Sequence, residues 1–247
     1  MEPLAPIFLA ALMVTVPPPA TAASRSKKKV SPAPAPAASA RGSLTGVVII
    51  KGKVKKMRKF NPYADVYGGG AGSVTPKSDE PGHLAVYLEG DAAGFPAPAE
   101  HAVLDQQDRA FSTDLLPILA GTAVDFTNHD RIYHNVFSYS QPAPFDLGRR
   151  AQGEKRTVVF DKLPPRGIGI IKINCEIHAN MRATVLVMRN PYWVVLPETG
   201  GPYRLDNLPP GTWTLTGWHA GLAAEPVTVT VRAGETTVMD LTLHGGS

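Results

Sequence analysis

Several signatures are missing from this sequence of 247 residues. It has a single cysteine, Cys175, so an internal disulfide is excluded. It has no Gly-x-Ser-x-Gly motif, and its glycine run at residues 68–70 is not followed by Lys-Ser or Lys-Thr. The usual marks of a serine hydrolase of the α/β class and of a phosphate-binding loop are therefore absent. The apolar stretch at residues 4–16 is shorter than the roughly 20 residues that a membrane-spanning helix needs.

Acidic residues are also missing from one part of the chain. Residues 24–59 hold 11 lysines and arginines and no acid, whereas residues 60–247 hold 14 basic and 20 acidic side chains. A basic arm thus precedes an acidic body, and the net charge is +4. A run of charge is more often a solvated face than a binding site, so we expect no nucleic-acid binding. The arm can instead help to orient an acidic protein partner.

The N-terminus resembles an export signal. The apolar stretch is followed by three prolines and then Ala-Thr-Ala-Ala, a small-residue pattern that predicts cleavage after Ala22 or Ala23. The start carries Glu2 and no basic residue, which departs from the usual signal. We expect a signal peptide at 1–23, an extended Lys/Ala/Pro-rich linker at 24–42, and an exported protein without a membrane span after cleavage.

The rest of the chain is rich in turn residues, with 24 prolines and 23 glycines, and in short β-branched runs. Such a pattern predicts an all-β protein built from sandwiches. We expect a first domain at 43–190, with a basic, glycine-rich insertion near 51–82, and a small second sandwich at 191–247. The predicted strands are 44–50, 84–88, 122–127, 135–139, 156–160, 168–174, 182–188, 192–196, 202–205, 212–218, 227–231 and 236–243.

Two segments of the first domain carry metal-binding side chains. His134 stands at the entrance to a predicted strand, and Cys175, His178 and Met181 follow within one short loop. Two imidazoles, a thiolate and a weak axial thioether are the donors of electron-transfer copper sites. Zinc can use the same residue types, and Glu176 is a competing oxygen donor, although the Cys-x-x-His pattern indicates that it points elsewhere.

The remaining histidines show no ligand spacing. His129 lies five residues before His134, and we expect it either to contact His134 from outside the site or to lie on the surface. We expect that the other histidines do not bind metal; these are His83, His101, His219 and His244. A copper oxidase or nitrite reductase needs an additional copper with an open position for its substrate. Without a second histidine cluster, the sequence predicts an electron carrier and not an enzyme.

The ligand segments resemble the cupredoxin family, which includes plastocyanin, amicyanin and pseudoazurin. The likeness extends to exported proteins of the plastocyanin-like or methylamine-utilisation type, in which a carboxypeptidase-regulatory-like domain follows. It rests on HNVFSYSQPAPFDLGRR, CEIHANM and NPYWVVLPETGGPYRLDNLPPGTWTLTGWH. The resemblance implies a Greek-key cupredoxin sandwich followed by a small prealbumin-like sandwich. The first strands, LTGVVII and HLAVYLEG, also resemble parts of this second sandwich.

For the site, the resemblance implies one type 1-like copper bound by His134, Cys175 and His178. Met181 would be the axial ligand, although only two residues separate it from His178 and plastocyanin-like members have a longer gap. Asn135 would tie the two ligand segments together by hydrogen bonds.

The expected function is to carry single electrons between redox partners. In the family the electron leaves through the exposed edge of the downstream histidine, which predicts a docking face at His178 with Ala179, Ile132 and Pro142. Two alternatives stay open: a copper-handling or storage protein, and a metal-free interaction module in which Cys175 is only a buried apolar side chain.

Overall fold

The computed structural model describes residues 40–52, 82–90, 95–141 and 143–245. The predicted signal peptide, nearly all of the linker and nearly all of the basic insertion lie outside these residues. Every regular element in the described ranges is a β-strand, so the all-β prediction is confirmed. The same ranges contain no helix with the length and apolar character needed to cross a membrane.

The first sandwich holds ten strands between residues 102 and 188. They are β3 (Ala102–Val103), β4 (Gln106–Gln107), β5 (Ala110–Phe111), β6 (Leu115–Leu119), β7 (Thr122–Thr127), β8 (His134–Ser138), β9 (Phe145–Arg150), β10 (Lys155–Phe160), β11 (Gly169–Asn174) and β12 (Arg182–Met188). One sheet has the order β10-β7-β3 and the other β6-β12-β11-β8-β9, with β4 and β5 forming a separate hairpin. Their inner faces enclose an apolar core that includes Phe126, Phe160 and Ile173.

The second sandwich holds the other nine strands. They are β1 (Gly42–Lys51), β2 (His83–Glu89), β13 (Trp193–Pro197), β14 (Gly201–Leu208), β15 (Gly211–Trp218), β16 (Leu222–Ala224), β17 (Val227–Val231), β18 (Thr236–Val238) and β19 (Leu241–Gly245). One sheet has the order β14-β1-β19-β16, with β18 also paired to β1, and the other has the order β13-β2-β15-β17. A separate core fills the space between them, with Leu44, Leu88 and Leu215 fully buried.

The strand pairing differs from the boundaries expected from the sequence. We expected β1 and β2 to belong to the first domain at 43–190, but β1 pairs with β14, β18 and β19, and β2 pairs with β13 and β15. The physical reason is burial: Leu44 and Val48 on β1 and Leu84, Val86 and Leu88 on β2 fill the core of the second sandwich. The first sandwich is thus inserted between two parts of the second.

A third apolar cluster joins the two sandwiches. Ala85 and Tyr87, on the outer side of β2, pack with Leu115 of β6 and with Leu186 and Met188 of β12. Residues on one strand alternate between the two faces of its sheet, so β2 contributes to the core with one face and to this junction with the other. The sheet that contains β11 and β12 therefore packs against β2 of the second sandwich.

The membership of β1 in the second sandwich can be tested at Gly46. A Cβ there would overlap the carbonyl group of Met239, which lies beside β1 in the segment between β18 and β19. We expect Gly46→Ala to lower the free energy of unfolding by about 3 kcal/mol, because backbone has to move to make room. Val47→Ala, a change at the adjacent and exposed position, is the control and should change stability by less than about 0.5 kcal/mol in denaturant titration. Equal losses in the two variants would contradict this packing.

Candidate metal centre

The sheet order brings the two ligand-bearing segments to the same end of the first sandwich. His134 is the first residue of β8, and residues 175–181 form the loop between β11 and β12. Because β8 runs antiparallel to β11, the start of β8 lies beside the end of β11, as the pairing of Asn174 with Phe137 shows. The loop is closed by two backbone hydrogen bonds, from Cys175 N–H to the Met181 carbonyl and from Met181 N–H to the His178 carbonyl.

Three donor atoms converge at this end. The Nδ1 atoms of His134 and His178 lie 3.0 Å apart, and the Cys175 Sγ lies 3.8 Å from the first and 3.7 Å from the second. His134 and Cys175 are buried, whereas His178 is partly exposed. Among the described residues this is the one group of three or more His, Cys, Asp or Glu side chains that could hold a metal ion.

The spacing of the donors fits a single ion. Metal–nitrogen bonds to histidine are about 2.0–2.1 Å long and metal–sulfur bonds to a thiolate are about 2.3 Å. One ion can satisfy both lengths at once with the three separations observed here. The donors also have the right chemistry, because soft sulfur and imidazole suit copper and zinc, whereas magnesium and calcium prefer oxygen ligands.

The other two candidate ligands occupy different surroundings. Met181 is fully buried and packs in the same apolar cluster as Cys175. Glu176 is exposed, and its carboxylate lies 3.9 Å from the Arg149 guanidinium on the surface. The structure therefore leaves Met181 on the inner side of the loop, while Glu176 belongs to an exposed ion pair.

The orientation of His134 is set by Asp130. The His134 Nε2 lies 2.7 Å from an Asp130 carboxylate oxygen, which also accepts a hydrogen bond from the Arg109 N–H, while the other oxygen accepts one from the Asp108 N–H. Burial raises the pKa of Asp130, but the bonds from Arg109, His134 and Asp108 outweigh burial, and the pKa lies below its usual value. The carboxylate is thus ionised and accepts the His134 Nε2–H, which leaves the Nδ1 lone pair for a metal.

The chain conformation around Asp130 is unusual. Asp108 and Arg109 both have positive φ angles, 54° and 59°, in the tight turn between β4 and β5. Non-glycine residues rarely adopt this left-handed conformation, although a two-residue hairpin turn of type I′ requires it twice. The two hydrogen bonds to Asp130 stabilise the turn and fix the carboxylate in front of His134.

The second imidazole is also suited to bind a metal. Burial lowers the pKa of His178, and the neighbouring His134 and Arg109 lower it further, against the opposing effect of Asp130. His178 is therefore neutral at pH 7, and a neutral imidazole has a free lone pair.

Asn135 connects the two ligand-bearing segments directly. Its side-chain oxygen accepts a hydrogen bond of 2.6 Å from the Glu176 N–H, the residue after Cys175. Its own carbonyl accepts a bond of 3.3 Å from the Gln106 side chain on β4. The loop, β8 and the β4–β5 hairpin are thus joined through one buried residue.

The other histidines each contact a carboxylate away from the cluster. His129 bonds to Asp105 at 3.0 Å and does not contact His134. The remaining pairs are His83 with Asp114, His101 with Asp125, His219 with Glu198 and His244 with Glu225. Each of these histidines thus contacts a carboxylate outside the group formed by His134, Cys175 and His178.

The chain is similar, at low scores, to parts of several solved structures of copper proteins. Similar solved structures include a Cu-containing nitrite reductase from Thermus scotoductus SA-01, with 21% identity, a TM-score of 0.34, and coverage of 40% of this chain and 24% of that chain. Another is a reduced Cu(I) form of an amicyanin mutant, with 20% identity, a TM-score of 0.32, and coverage of 42% of this chain and 98% of that chain. A third is a purple cupredoxin from Nitrosopumilus maritimus, with 23% identity, a TM-score of 0.30, and coverage of 35% of this chain and 99% of that chain. The chain thus spans about a quarter of the nitrite reductase.

At these scores the matches say nothing of individual residues or of activity. A family model described as polysaccharide lyase family 4, domain II, matches residues 181–239. This model differs from the carboxypeptidase-regulatory-like domain expected for the C-terminal part, which stays a prediction. No curated protein matches the chain.

The role of Asp130 can be tested by Asp130→Asn. The neutral amide no longer imposes the tautomer that frees Nδ1 of His134, so we expect the affinity for Cu(I) to fall about 10–100-fold. The measurement is competition against a chromophoric chelator of known Cu(I) affinity. Asp105→Asn, which alters the equivalent contact to His129, is the control and should leave the affinity unchanged. Equal losses in both variants would contradict the assigned role.

Proposed function

We propose that this protein is an exported carrier of single electrons that binds one copper ion through His134, Cys175 and His178, with Met181 as axial ligand. The observation that carries the proposal is the convergence of two imidazole nitrogens and one sulfur within 4.8 Å of one another. All three belong to well-packed segments of a β-sandwich.

The donor set favours copper over zinc for this role. A thiolate and a thioether suit Cu(I), while imidazole also suits Cu(II), so these four side chains can serve both states. Copper in such a site would supply the ability to take up and release one electron. The hydrogen bonds of Asp130 and Asn135 hold the ligands in place, so little rearrangement would accompany a change of oxidation state.

The surface around His178 supports a docking role. Ile132 and Tyr133, which precede His134, and Ile177, which precedes His178, are exposed large apolar residues. Exposed apolar residues close to one another mark sites of protein–protein contact, which supports docking of a partner here. Pro142, also expected on this face, lies outside the described residues. The basic arm would add attraction for an acidic partner.

The copper site can be tested with Cys175→Ser, which keeps the shape of the side chain and removes the thiolate. We expect the mature wild-type protein to bind one equivalent of Cu(II) and to show intense thiolate-to-copper absorption, which the variant loses. The visible and paramagnetic resonance spectra are recorded on both proteins under the same conditions. Failure of the wild-type protein to bind copper would contradict the proposal and favour a metal-free interaction module. Tight Cu(I) binding without reversible redox chemistry would favour storage.

The docking face can be tested without knowing the partner, by electron self-exchange between copies of the copper-loaded protein. Ile177 is 41% exposed beside His178, and Ile170 is 39% exposed near the other end of β11. We expect Ile177→Lys to slow self-exchange by about tenfold, because two like charges would meet when the faces approach. Ile170→Lys is the matched control and should leave the rate unchanged in NMR line-broadening experiments. Equal effects of both substitutions would contradict this docking face.

A further inference from the structure

A buried arginine lies in the first sandwich without a carboxylate partner. Arg150 is only 1% exposed and is among the largest fully buried side chains of the described residues. Its Nη2 donates a hydrogen bond of 3.0 Å to the Gln106 side-chain oxygen, while Nε and Nη1 are buried and have no acceptor among the described residues. Holding a charge in this way is energetically unfavourable, and an apolar side chain of similar size would avoid that cost.

A β-bulge turns this side chain inward. Between the pairs Asn135–Arg149 and Phe137–Asp146, β9 has one residue more than β8, and Gly148 has a φ of 68°. This left-handed glycine is typical of a bulge that shifts the alternation of side chains by one position. Without the shift, Arg149 would face inward, like Leu147, and Arg150 would face solvent. The backbone therefore places a cation in the core.

The inward position is next to the candidate metal centre. Arg150 is the cross-strand partner of His134, so both side chains project from the same face of the sheet, and both are buried. Gln106, which accepts the bond from Arg150, donates through its other side-chain atom to the Asn135 carbonyl. The guanidinium is thus joined by two hydrogen bonds to the residue that follows His134.

The charges near Arg150 leave it uncompensated in the interior. Burial lowers the pKa of Arg150, and Arg156 lowers it further, while Glu154, Cys175 and Asp146 act in the opposite direction. Glu154, Asp146 and Arg156 are exposed, so water screens them. A guanidinium stays protonated in proteins. Of the groups that shift its pKa, Cys175 alone is buried, and His134, opposite Arg150 on β8, lies 3.8 Å from the Cys175 Sγ.

We propose that Arg150 sets the redox balance of the metal centre, because its buried positive charge favours the reduced state of copper bound to Cys175. The inference rests on the proposed copper site. In the reaction, one electron from an external one-electron reductant converts Cu(II) to Cu(I), no bond is formed or broken, and the charge of the centre falls by one unit. A fixed cation opposes the higher charge more than the lower one, and burial strengthens the effect.

The test compares Arg150→Met with Arg150→Lys in the copper-loaded protein. Met removes the charge and keeps most of the volume, whereas Lys keeps the charge. We expect Arg150→Met to lower the equilibrium constant for reduction at least tenfold, which corresponds to a fall in potential of about 59 mV for one electron. Arg150→Lys, which keeps the charge, should have a potential close to that of the wild-type protein. The affinity for Cu(II) should rise more than the affinity for Cu(I), as separate competition titrations would show.

A second measurement separates this role from a structural one. Because Arg150→Met removes an unpaired buried charge, the metal-free variant should unfold at the same or a higher temperature than wild type while its copper potential falls. A lower unfolding temperature with an unchanged potential would show that Arg150 only supports the fold, and would overturn the inference. The wild-type spectrum distinguishes the two failures, since a wild-type protein that binds no copper refutes the proposed function itself.

If Arg150→Met does not fold, Gln106 provides the test. Gln106→Glu places a carboxylate against the Arg150 guanidinium and compensates its charge, so the potential should fall as in Arg150→Met. Gln106→Met is the matched control, because it also removes the bond to the Asn135 carbonyl and leaves the charge of Arg150 uncompensated. Equal potentials in the two Gln106 variants would overturn the inference.

Discussion

The candidate site depends on the hydrogen bond that the Glu176 N–H donates to the Asn135 side chain. This bond joins the start of β8 to the loop after β11, which are 41 residues apart in sequence, and so holds His134 and Cys175 at a fixed separation. Its geometry requires β8 and β11 to be neighbours and antiparallel, as the sheet order provides. Ligands fixed before a metal arrives are what a site needs if its geometry is to change little between oxidation states.

Two groups of opposite charge, the Asp130 carboxylate and the Arg150 guanidinium, lie close to His134. The Asp130 carboxylate accepts a hydrogen bond from the Nε2–H of His134 and so keeps the imidazole proton on Nε2. Arg150 lies on the neighbouring strand, and two of its nitrogens have no acceptor in the part of the chain that the structure describes. A partly satisfied polar group in a core is costly, so stability alone does not explain why an arginine occupies this position. Taken together, the carboxylate orients one ligand, whereas the guanidinium acts through its charge on the whole centre.

The sequence was sufficient to predict most of the longer strands, and it singled out three side chains that the structure brings together, His134, Cys175 and His178. β7 alternates its larger apolar residues, and β10 is β-branched or aromatic from Thr157 to Phe160. The four candidate ligands lie in two short segments whose residue types suit one metal. β6 was not predicted because Pro117 interrupts its apolar run, which an edge strand tolerates. β9 was not predicted either, because the bulge at Gly148 breaks its alternation and hides the inward position of Arg150. The pairing of β1 and β2 with strands more than 100 residues away depends on long-range packing, which only the resemblance of LTGVVII and HLAVYLEG to the second sandwich indicated in advance.

The most direct test of the copper assignment is X-ray absorption at the copper edge, on protein loaded with one equivalent of copper and poised in each oxidation state. We expect one short copper–sulfur bond and two imidazoles around the metal in both states, with small changes in bond length on reduction. A spectrum without a short copper–sulfur distance, or with a set of ligands that changes between the states, would contradict it.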